Sequence, residues 1–445
     1  MAWSFRGGLS LAEGMAAVID NTCAGRDQEW VKANWRWNFT TMSLDYGLFG
    51  LALSLASAST ILPAFAERLG APNLVIGAIP AIMSIGWQLP GLFAANYTER
   101  FPRRLPILLV FTLWERLPFL FMALLAFTVA TTRPTLALGL FLLFLAMTSF
   151  TSGALNPAWM DLIGKVIPGN YRGRFFGFSS TLGGGLGIGG ALLAGYFLQQ
   201  YAFPVSYGYC FLIAFASLML SFGFLAMTRE GVLGRPKPAV GMATYLSRLP
   251  AILRGNPNYV WYLCARSLAA VGTMSVGFYT VFALKVLQVP EVQVASYTFS
   301  LLAAQTAANI AFGFLADHFG HKLVMVASSL AVVLSSLLAI ASQTAPDLLY
   351  AAFALFGISY AASNVSGLNI NLDFCSAEDR PTYVGLTGTV LAPFSVLAPL
   401  LGGWMADHGG YELVFWISLF ASALGASVLA GMVKDPRQLA VPSEA

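Results

Sequence analysis

The chain has 445 residues, of which 57% are hydrophobic and only 10% are charged, and its formal net charge is +4. A soluble domain carries about 25% charged residues, so most of this chain has no water-facing surface to cover, and its mean hydropathy of +0.71 agrees. Composition therefore excludes a soluble enzyme and predicts a fold surrounded by lipid.

Backbone amides inside lipid must bond within their own structure, so only helices or a closed barrel can cross a membrane. Barrel strands appear as short segments of alternating polarity, whereas this chain contains continuous apolar runs such as LPILLVFTLW and LALGLFLLFLAM. We therefore predict an all-α polytopic membrane protein with no soluble catalytic domain.

Twelve apolar segments are long enough to cross a membrane, because a span needs about 20 residues for ~30 Å of hydrocarbon. The predicted spans are 43–67, 72–97, 105–131, 134–163, 175–200, 203–228, 257–286, 291–316, 321–343, 346–372, 383–406 and 410–433. Residues 1–42 are polar and are expected at the cytoplasmic surface, and residues 434–445 form a cytoplasmic tail.

Lys and Arg residues are distributed unevenly between the predicted loops. Of the 24 such residues, nineteen fall in the N-terminal segment, the C-terminal tail and the alternate loops on the same side, and only Arg68, Arg133 and Lys285 fall on the other side. Cytoplasmic loops carry the excess of positive charge. Both termini are therefore expected in the cytoplasm, and we expect a multi-pass protein of the plasma, or inner, membrane.

The sequence repeats itself with an offset of 218 residues. The matching pairs are Pro72 and Pro290, Glu99 and Asp317, Phe101 and Phe319, and Arg104 and Lys322. We therefore predict two pseudo-symmetric six-helix bundles, 43–228 and 257–433. A cytoplasmic linker at 229–256, with three prolines and five Lys or Arg residues, joins them.

The loops after the second and eighth spans resemble the signature of the major facilitator superfamily, which has the form G-x-x-x-D-R-x-G-R-R. The second copy, GFLADHFGHK, keeps Gly313, Asp317, Gly320 and Lys322, while the first, ANYTERFPRR, keeps the basic residues but neither glycine. The resemblance covers residues 43–433. It implies a secondary transporter of twelve helices, in which helices 1, 4, 7 and 10 line a central cavity.

Charged residues at the cytoplasmic helix ends form two candidate gate clusters. One comprises Glu99, Arg103 and Asp161, and the other comprises Asp317, His321 and Asp373. An acidic residue at such an end can face the positive N-terminus of a neighbouring helix, and an arginine one turn later can bridge to another carboxylate. The alternative is that these charges only anchor helix ends at the lipid headgroups.

Four charged residues stand out inside the predicted spans, where a charge costs ~2.5–3.5 kcal/mol on insertion scales and marks a functional site by default. Asp45 and Arg266 lie on helices 1 and 7, so the resemblance places both at the cavity. We expect Arg266 to hold a substrate anion or to pair with Asp45, and a purely structural ion pair stays open.

Glu115 and Arg116 lie mid-span in helix 3, which the resemblance assigns to the outer scaffold. Glu115, like Asp45, is a candidate proton carrier, because a buried carboxyl can take up and release a proton. A structural polar contact is the alternative for Glu115. Direct pairing with Arg116 is expected to be poor, since adjacent helical residues point about 100° apart.

Helices 4 and 10 carry amides that we expect to line the substrate cavity, namely Asn156, Asn364 and Asn369. Transporter sites of this kind lie near the membrane midplane. A glycine run in helix 5, STLGGGLGIGGALLAG, loosely resembles an antiporter motif of the same family. The run favours export, and close helix packing is its alternative explanation.

These observations predict a secondary active transporter that moves a small organic solute by alternating access, with proton coupling and with export favoured. The alternatives are a nutrient importer working as a proton symporter, a lipid translocase on the same fold, and a receptor. We expect no enzyme activity, cofactor, metal or nucleic acid, because no motif for nucleotide, metal or nucleophile occurs. The expected partners are the solute, protons and membrane lipid, and we expect a monomer.

Overall fold

The computed structural model describes the backbone of residues 11–98, 103–231, 253–367, 369–374 and 380–435, with side chains, apart from a few positions, from residue 29 onward. Throughout these ranges the chain forms helices and no strands. The helices of the first half are α1 (Leu11–Leu55), α2 (Ile61–Arg68), α3 (Asn73–Thr98), α4 (Leu105–Thr128), α5 (Pro134–Val166), α6 (Gly169–Gln200) and α7 (Val205–Ala226).

The second half begins with α8 (Pro257–Gly272) and α9 (Val276–Lys285), which a single 3-10 turn joins. The remaining helices are α10 (Val292–Phe319), α11 (His321–Ala341), α12 (Leu348–Ser366), α13 (Asn369–Leu372) and α14 (Arg380–Gly431). Helix α14 breaks at Gly410, whose φ of 79° lies in the left-handed region that only glycine adopts without cost.

Within the described ranges, ten helical stretches are long and apolar enough to cross a membrane. The prediction of an all-α polytopic membrane protein is therefore confirmed, whereas the count of twelve spans stays a prediction. The structure shows two reasons why ten stretches are found where twelve spans are predicted. The predicted spans 383–406 and 410–433 merge into one helix across Gly410, and the predicted span 43–67 is divided between α1 and α2.

Helix α1 also extends far beyond the predicted start of the first span. It runs without a break from Leu11 to Leu55, so the segment expected at the cytoplasmic surface continues directly into the first span. Trp35 stacks on Tyr171 at a centroid distance of 4.3 Å, which fixes this part of α1 against the start of α6.

The helices pack in the same pattern in the two halves. In the first half, α1 packs on α6 and α7, α3 on α5, and α4 on α5 and α7. In the second half, α8 packs on α14, α10 on α12, and α11 on α12 and α14. The halves meet through α3 against α14 and α6 against α10, which are equivalent pairs under the same repeat.

Glycines allow several of these helices to approach closely, as small residues do in membrane interfaces. A Cβ added at Gly50 of α1 would lie 2.9 Å from the carbonyl oxygen of Gly183 in α6. A Cβ at Gly184 would meet Thr306 of α10, and one at Gly190 would meet Leu51. The glycine run of α6 therefore packs against α1 on one face and against α10 on another.

The two halves are hydrogen-bonded to each other at one end, which we call the closed end. Thr60 and Thr298 have their hydroxyl oxygens 2.5 Å apart, and Thr280 donates to the Ser59 carbonyl at 2.9 Å. Arg68 forms an ion pair with Glu291. The closed end thus joins α1 and α2 to α9 and α10.

Asp407 makes further contacts between the halves at the closed end. Its carboxylate accepts the backbone N–H groups of Asn73 and Leu74, both at 3.1 Å, at the N-terminus of α3. A carboxylate there also faces the positive end of the helix dipole. Tyr411 donates to the Asn73 side chain at 2.7 Å, so α14 holds the start of α3 by three hydrogen bonds.

The opposite end carries the residues that flank the linker, and we call it the linker end. Every hydrogen bond resolved there between described residues stays within one half, such as those of Asp161 to Arg104 and of Asn258 to Lys434. The cleft between the halves is therefore unbridged by described hydrogen bonds at this end.

Candidate functional site

Helices α1, α4 and α7 bring three predicted membrane charges into one buried cluster. The side chains of Asp45, Glu115 and Arg116 are 7%, 10% and 3% exposed. Arg116 lies 3.6 Å from an Asp45 oxygen and 3.4 Å from a Glu115 oxygen, so one guanidinium is shared almost equally between two carboxylates. With all three ionised, this cluster carries one net negative charge.

Arg116 is held by hydrogen bonds and ion pairs inside this cluster. A guanidinium has five N–H donors and no acceptor. Four of these donors are hydrogen-bonded, to the Leu218 carbonyl at 2.9 Å, the Thr112 carbonyl at 3.3 Å, Ser221 Oγ at 3.2 Å and the Glu115 carboxylate at 3.4 Å. The nitrogen that carries the fifth donor forms the ion pair with Asp45 at 3.6 Å, so Arg116 is a fixed bridge between the two carboxylates.

Hydroxyl and indole groups form further hydrogen bonds with the two carboxylates. Ser221 donates to Asp45 at 2.5 Å, and the Trp159 side chain also hydrogen-bonds to Asp45. Glu115 accepts from Ser152 at 2.5 Å and from Thr112 at 3.0 Å. These donors hold both carboxylates in place but add no positive charge.

The cluster forms one wall of a cavity of about 620 Å³, counted with its open mouth. Its other walls are apolar and aromatic. Tyr46 and Trp159 lie in a stacked arrangement with centroids 6.0 Å apart. The lining also includes Phe49, Trp87, Leu108, Thr112, Ser152, Leu155, Asn156 and Leu225.

The second half approaches this cavity through α12. Tyr360, 49% exposed, lies close enough to Tyr46 to interact electrostatically, and its side chain is hydrogen-bonded to Asn364. Tyr46 is a cavity residue, so α12 comes near the cavity, although the lining residues all belong to the first half.

The structure unites some predicted site residues and separates others. Asp45, Glu115 and Asn156 line the cavity together. Glu115 reaches the cavity although the resemblance assigns its helix to the outer scaffold. The expected poor pairing with Arg116 is wrong, because the arginine side chain is long enough to bring Nη1 within 3.4 Å of Glu115. Asn369 lies at the linker end, exposed, and donates to the Val365 carbonyl of its own chain segment.

Arg266 does not pair with Asp45, which is bonded to Arg116 instead. It lies half-buried on α8, one turn after Tyr262, whose hydroxyl reaches the Gly367 carbonyl at the end of α12. Its buried Nε atom has no hydrogen-bond partner. Arg266 thus stands in the second half, apart from the residues that line the cavity.

The gate candidates are placed only in part. Glu99 and the side chain of Asp317 lie outside the described residues. Asp161 pairs with Arg104 at 2.7 Å and with Lys165 at 3.4 Å, whereas the neighbouring Arg103 is exposed. Arg104 therefore takes the place that sequence reasoning gave to Arg103.

The second candidate gate cluster lies at the linker end of the second half. His321 is buried, with its Nδ1 atom 3.1 Å from Ser366 Oγ. Asp373 is half-buried and follows the short helix α13. The two residues are thus found at the ends of neighbouring helices in the same half.

Sequence reasoning missed Ser221, Trp159 and Glu230. Glu230 accepts the backbone N–H groups of Arg104 and Leu105, both at 2.8 Å, and so caps α4. Its signal was the acidic residue directly after the sixth predicted span. Ser221 and Trp159 gave only weak signals, since isolated Ser and Trp residues occur in many membrane helices.

The charged cluster has no charged counterpart in the repeat. An offset of 218 residues takes Asp45 to Leu263, Glu115 to Val333 and Arg116 to Leu334. On the facing helices α11 and α12, Ser328 instead bonds the Ser359 and Ser363 hydroxyls at 2.9 and 3.1 Å. The two halves thus share their packing but differ in the charge of their polar centres.

Similar proteins agree with this architecture. The chain is 31% identical over 142 residues to an uncharacterized MFS-type transporter of Mycobacterium tuberculosis, a match that covers 31% of this chain and 20% of the relative. It is 28% identical over 149 residues to the efflux pump hmp6 of Hypomyces subiculosus, covering 34% of this chain and 26% of that protein. The matched segment thus spans only a fifth to a quarter of these relatives.

Solved structures match nearly the whole chain. The nucleoside transporter NupG has a TM-score of 0.70 at 15% identity and covers 89% of this chain and 100% of its own. A D-xylose-proton symporter has a TM-score of 0.66 at 16% identity and covers 90% and 98%. At such identities the likeness shows the fold alone.

The family model that matches the sequence covers both halves. It is described as Major Facilitator Superfamily and matches residues 44–304 and 285–445. Together with the membrane helices and the shared fold, this match shows an integral multi-pass membrane protein of a transporter family. The chain belongs to the Major Facilitator Superfamily.

Proposed function

We propose that this protein is a secondary active transporter that exports a small organic solute in exchange for protons, by alternating access. The observation that carries the proposal is the buried cluster of Asp45, Glu115 and Arg116. Its net negative charge is costly in a membrane interior. A proton or a cationic ligand on one carboxylate removes that charge, so binding at this place and proton uptake are naturally linked.

Alternating access is supported by the uneven placement of contacts between the halves. The closed end is bridged by Thr60, Asp407 and Glu291, and the linker end has no described hydrogen bond between the halves. If the linker is cytoplasmic, this state is open to the inside. Of the candidate gate residues, Asp161 and His321 lie at the linker end, where the halves would have to meet in the opposite state.

Export is supported by the relatives and not by the fold. The matched segment of a fungal relative belongs to a protein named an efflux pump. A D-xylose-proton symporter shares the fold, so import with protons is the alternative that the same architecture allows. The direction of proton movement separates the two.

The test uses the purified full chain in proteoliposomes that contain a pH-sensitive dye and are acidic inside. Growth assays over toxic compounds and nutrients, with and without the gene, supply solutes for it. Exchange of an external solute for internal protons makes the lumen more alkaline. Acidification of the lumen on adding solute would show symport and replace the export proposal.

Glu115→Gln separates coupling from passage of the solute. It keeps the size of the side chain and removes the titratable proton, so proton-driven accumulation should fail while solute exchange survives at saturating solute concentration. Glu412→Gln is the matched control, because Glu412 is an exposed carboxylate bonded to Gln343 within the second half. Accumulation by Glu115→Gln at the level of this control would exclude Glu115 from coupling.

A further inference from the structure

We infer that the cavity beside Asp45 binds the positively charged group of an organic solute with an aromatic or apolar body, and that this group and the coupling proton occupy the site in turn. The inference rests on the proposed function and adds the charge and shape of the solute. Three features of the cavity carry it: its charge, its walls and its access.

The charge of the cavity selects against anions. Arg116 is the cationic side chain in the described lining, and four of its five N–H donors are hydrogen-bonded, while the nitrogen that carries the fifth is paired with Asp45 at 3.6 Å. An anion entering the cavity would have to compete with these partners for Arg116 and would face the carboxylates of Asp45 and Glu115. A cation would instead complete a cluster of two negative charges and one positive charge, because an unpaired buried charge is strongly unfavourable.

The walls of the cavity suit the body of such a cation. Tyr46 and Trp159 present stacked rings beside Asp45, and Phe49 and Trp87 line the same space. Aromatic faces attract cations within about 6 Å of the ring centroid, most strongly when the site excludes water.

The cavity is open at its mouth, where Trp87 is 53% exposed. Tyr360 of the second half lies close enough to the cavity residue Tyr46 to interact with it electrostatically. A solute that is held here by its positive group would therefore lie against the first half, on the side that α12 approaches.

Proton and solute compete in this arrangement because each neutralises the same excess charge. Protonation of Asp45 or Glu115 leaves a cluster with no net charge, which has little attraction for a cation. Binding of the cation should therefore weaken as pH falls, by up to about tenfold per pH unit when one proton is displaced.

The test measures equilibrium binding of radiolabelled tetraphenylphosphonium to the full chain in lipid nanodiscs, with empty nanodiscs as background. Tetraphenylborate, which has nearly the same shape and the opposite charge, is the matched probe. We expect saturable binding of the cation, displaced by excess unlabelled cation and weakened at low pH. We expect no saturable binding of the borate.

Variants locate the site. Asp45→Asn and Glu115→Gln should each weaken cation binding at least about tenfold, since each leaves a cluster without net charge, and should flatten its pH dependence. Trp87→Ala should weaken binding several-fold with the pH dependence retained, because it removes a ring and no titratable group. Glu412→Gln should bind as the wild type does.

The inference is overturned by saturable borate binding without cation binding, by cation binding that does not change with pH in the wild type, or by unchanged binding in both carboxylate variants. The measurements on the wild-type protein test the inference by themselves, so they remain decisive even if a variant fails to fold. Proton-driven transport of neutral or anionic solutes alone would defeat this inference and leave the proposed function standing. Absence of any solute-linked proton movement, with cation binding intact, would defeat only the proposed function.

Discussion

Asn38 and Asn258 make the same pair of hydrogen bonds in the two halves of the molecule. The Asn38 amide donates to the Arg229 carbonyl at 2.9 Å and accepts the Arg229 N–H at 2.8 Å. Asn258 does the same to Lys434, at 2.9 and 2.8 Å. Each asparagine thus joins the first helix of its half to the backbone just after the last helix.

Replacement of these asparagines should lower the thermal unfolding midpoint of the detergent-purified protein. Asn38→Ala removes both hydrogen bonds to the Arg229 backbone from a side chain that is fully buried, and a hydrogen bond contributes ~0.5–1.5 kcal/mol. Asn258→Ala should cost less, since its site is half-buried. Asn34→Ala is the control, because Asn34 bonds its own helix and an exposed arginine side chain. Midpoints equal to the control in both variants would contradict a bracing role.

The helices and the repeat could be predicted from the sequence because both are local or periodic. A run of apolar residues indicates by itself that the segment lies in an apolar environment. Glu99 can be matched with Asp317 from a constant sequence offset alone. The two asparagine contacts cannot be found from the repeat. Asn38 and Asn258 are 220 residues apart, while Arg229 and Lys434 are 205 apart, so no single offset aligns the two contacts.

The partners of the membrane charges could not be predicted, for a different reason. Asp45, Arg116 and Ser221 come from three helices, and their contact depends on how each helix is rotated about its axis. Sequence spacing gives the direction of a side chain only relative to its own helix. The pairing of Asp45 with Arg266 was therefore a reasonable expectation from depth alone, and rotation of the helices decides against it.

Asp407→Ala should loosen the closed end. The change removes two hydrogen bonds from Asp407 to the start of α3 without emptying the core. A cysteine at Thr60, which is fully buried between the halves, should then react several-fold faster with a membrane-impermeant maleimide, in a background without native cysteines. Glu412→Ala is the control, because Glu412 lies near the same end but contacts only its own half. Equal rates would show that Asp407 does not hold this end.

Asp161→Asn should reduce transport several-fold while expression stays near wild type. The carboxylate balances Arg104 and Lys165 at the linker end, and its loss changes the relative stability of the two conformations more than that of the fold. Asp317→Asn tests the candidate gate cluster of the second half. Asp347→Asn, an exposed residue at the opposite end, is the control. Normal transport by both gate variants would make these charges surface anchors.

Arg266 tests whether the solute also carries a negative group. Its buried Nε atom has no partner, so it offers an anion a donor that Arg116 cannot. Arg266→Ala should leave binding of tetraphenylphosphonium within about twofold, since a residue outside the cavity makes no direct contact. Binding of a triphenylphosphonium that bears a carboxylate should weaken in the same variant. Arg266→Lys should weaken it in part, because lysine keeps the charge and loses the planar fork.

Asp45→Ala should not rescue Arg266→Ala, because Asp45 is paired with Arg116 and not with Arg266. Rescue would show that the two residues do meet, in another conformation of the transporter. Failure to rescue, together with weaker binding of the carboxylate-bearing probe, would assign Arg266 to the solute site.

Arg116 should be the residue of the cluster on which folding depends most. Arg116→Ala leaves two buried carboxylates without a cation, and removal of one partner of a buried ion pair costs ~3–5 kcal/mol. The thermal midpoint and the monodisperse fraction on gel filtration should both fall. Both should fall less in Arg116→Lys, since lysine keeps the charge, although it loses most of the four hydrogen bonds.

The double variants decide whether Arg116 is shared between the carboxylates, as its distances of 3.6 Å to Asp45 and 3.4 Å to Glu115 indicate. Adding Asp45→Asn or Glu115→Gln to Arg116→Ala removes one stranded charge, so each should recover part of the lost stability. Residues in one network show interaction energies of ~0.5–3 kcal/mol in such cycles. Similar recovery from the two carboxylate changes would support equal sharing. Recovery from only one would identify the true partner of Arg116, and strictly additive losses would show that the cluster is not a coupled unit.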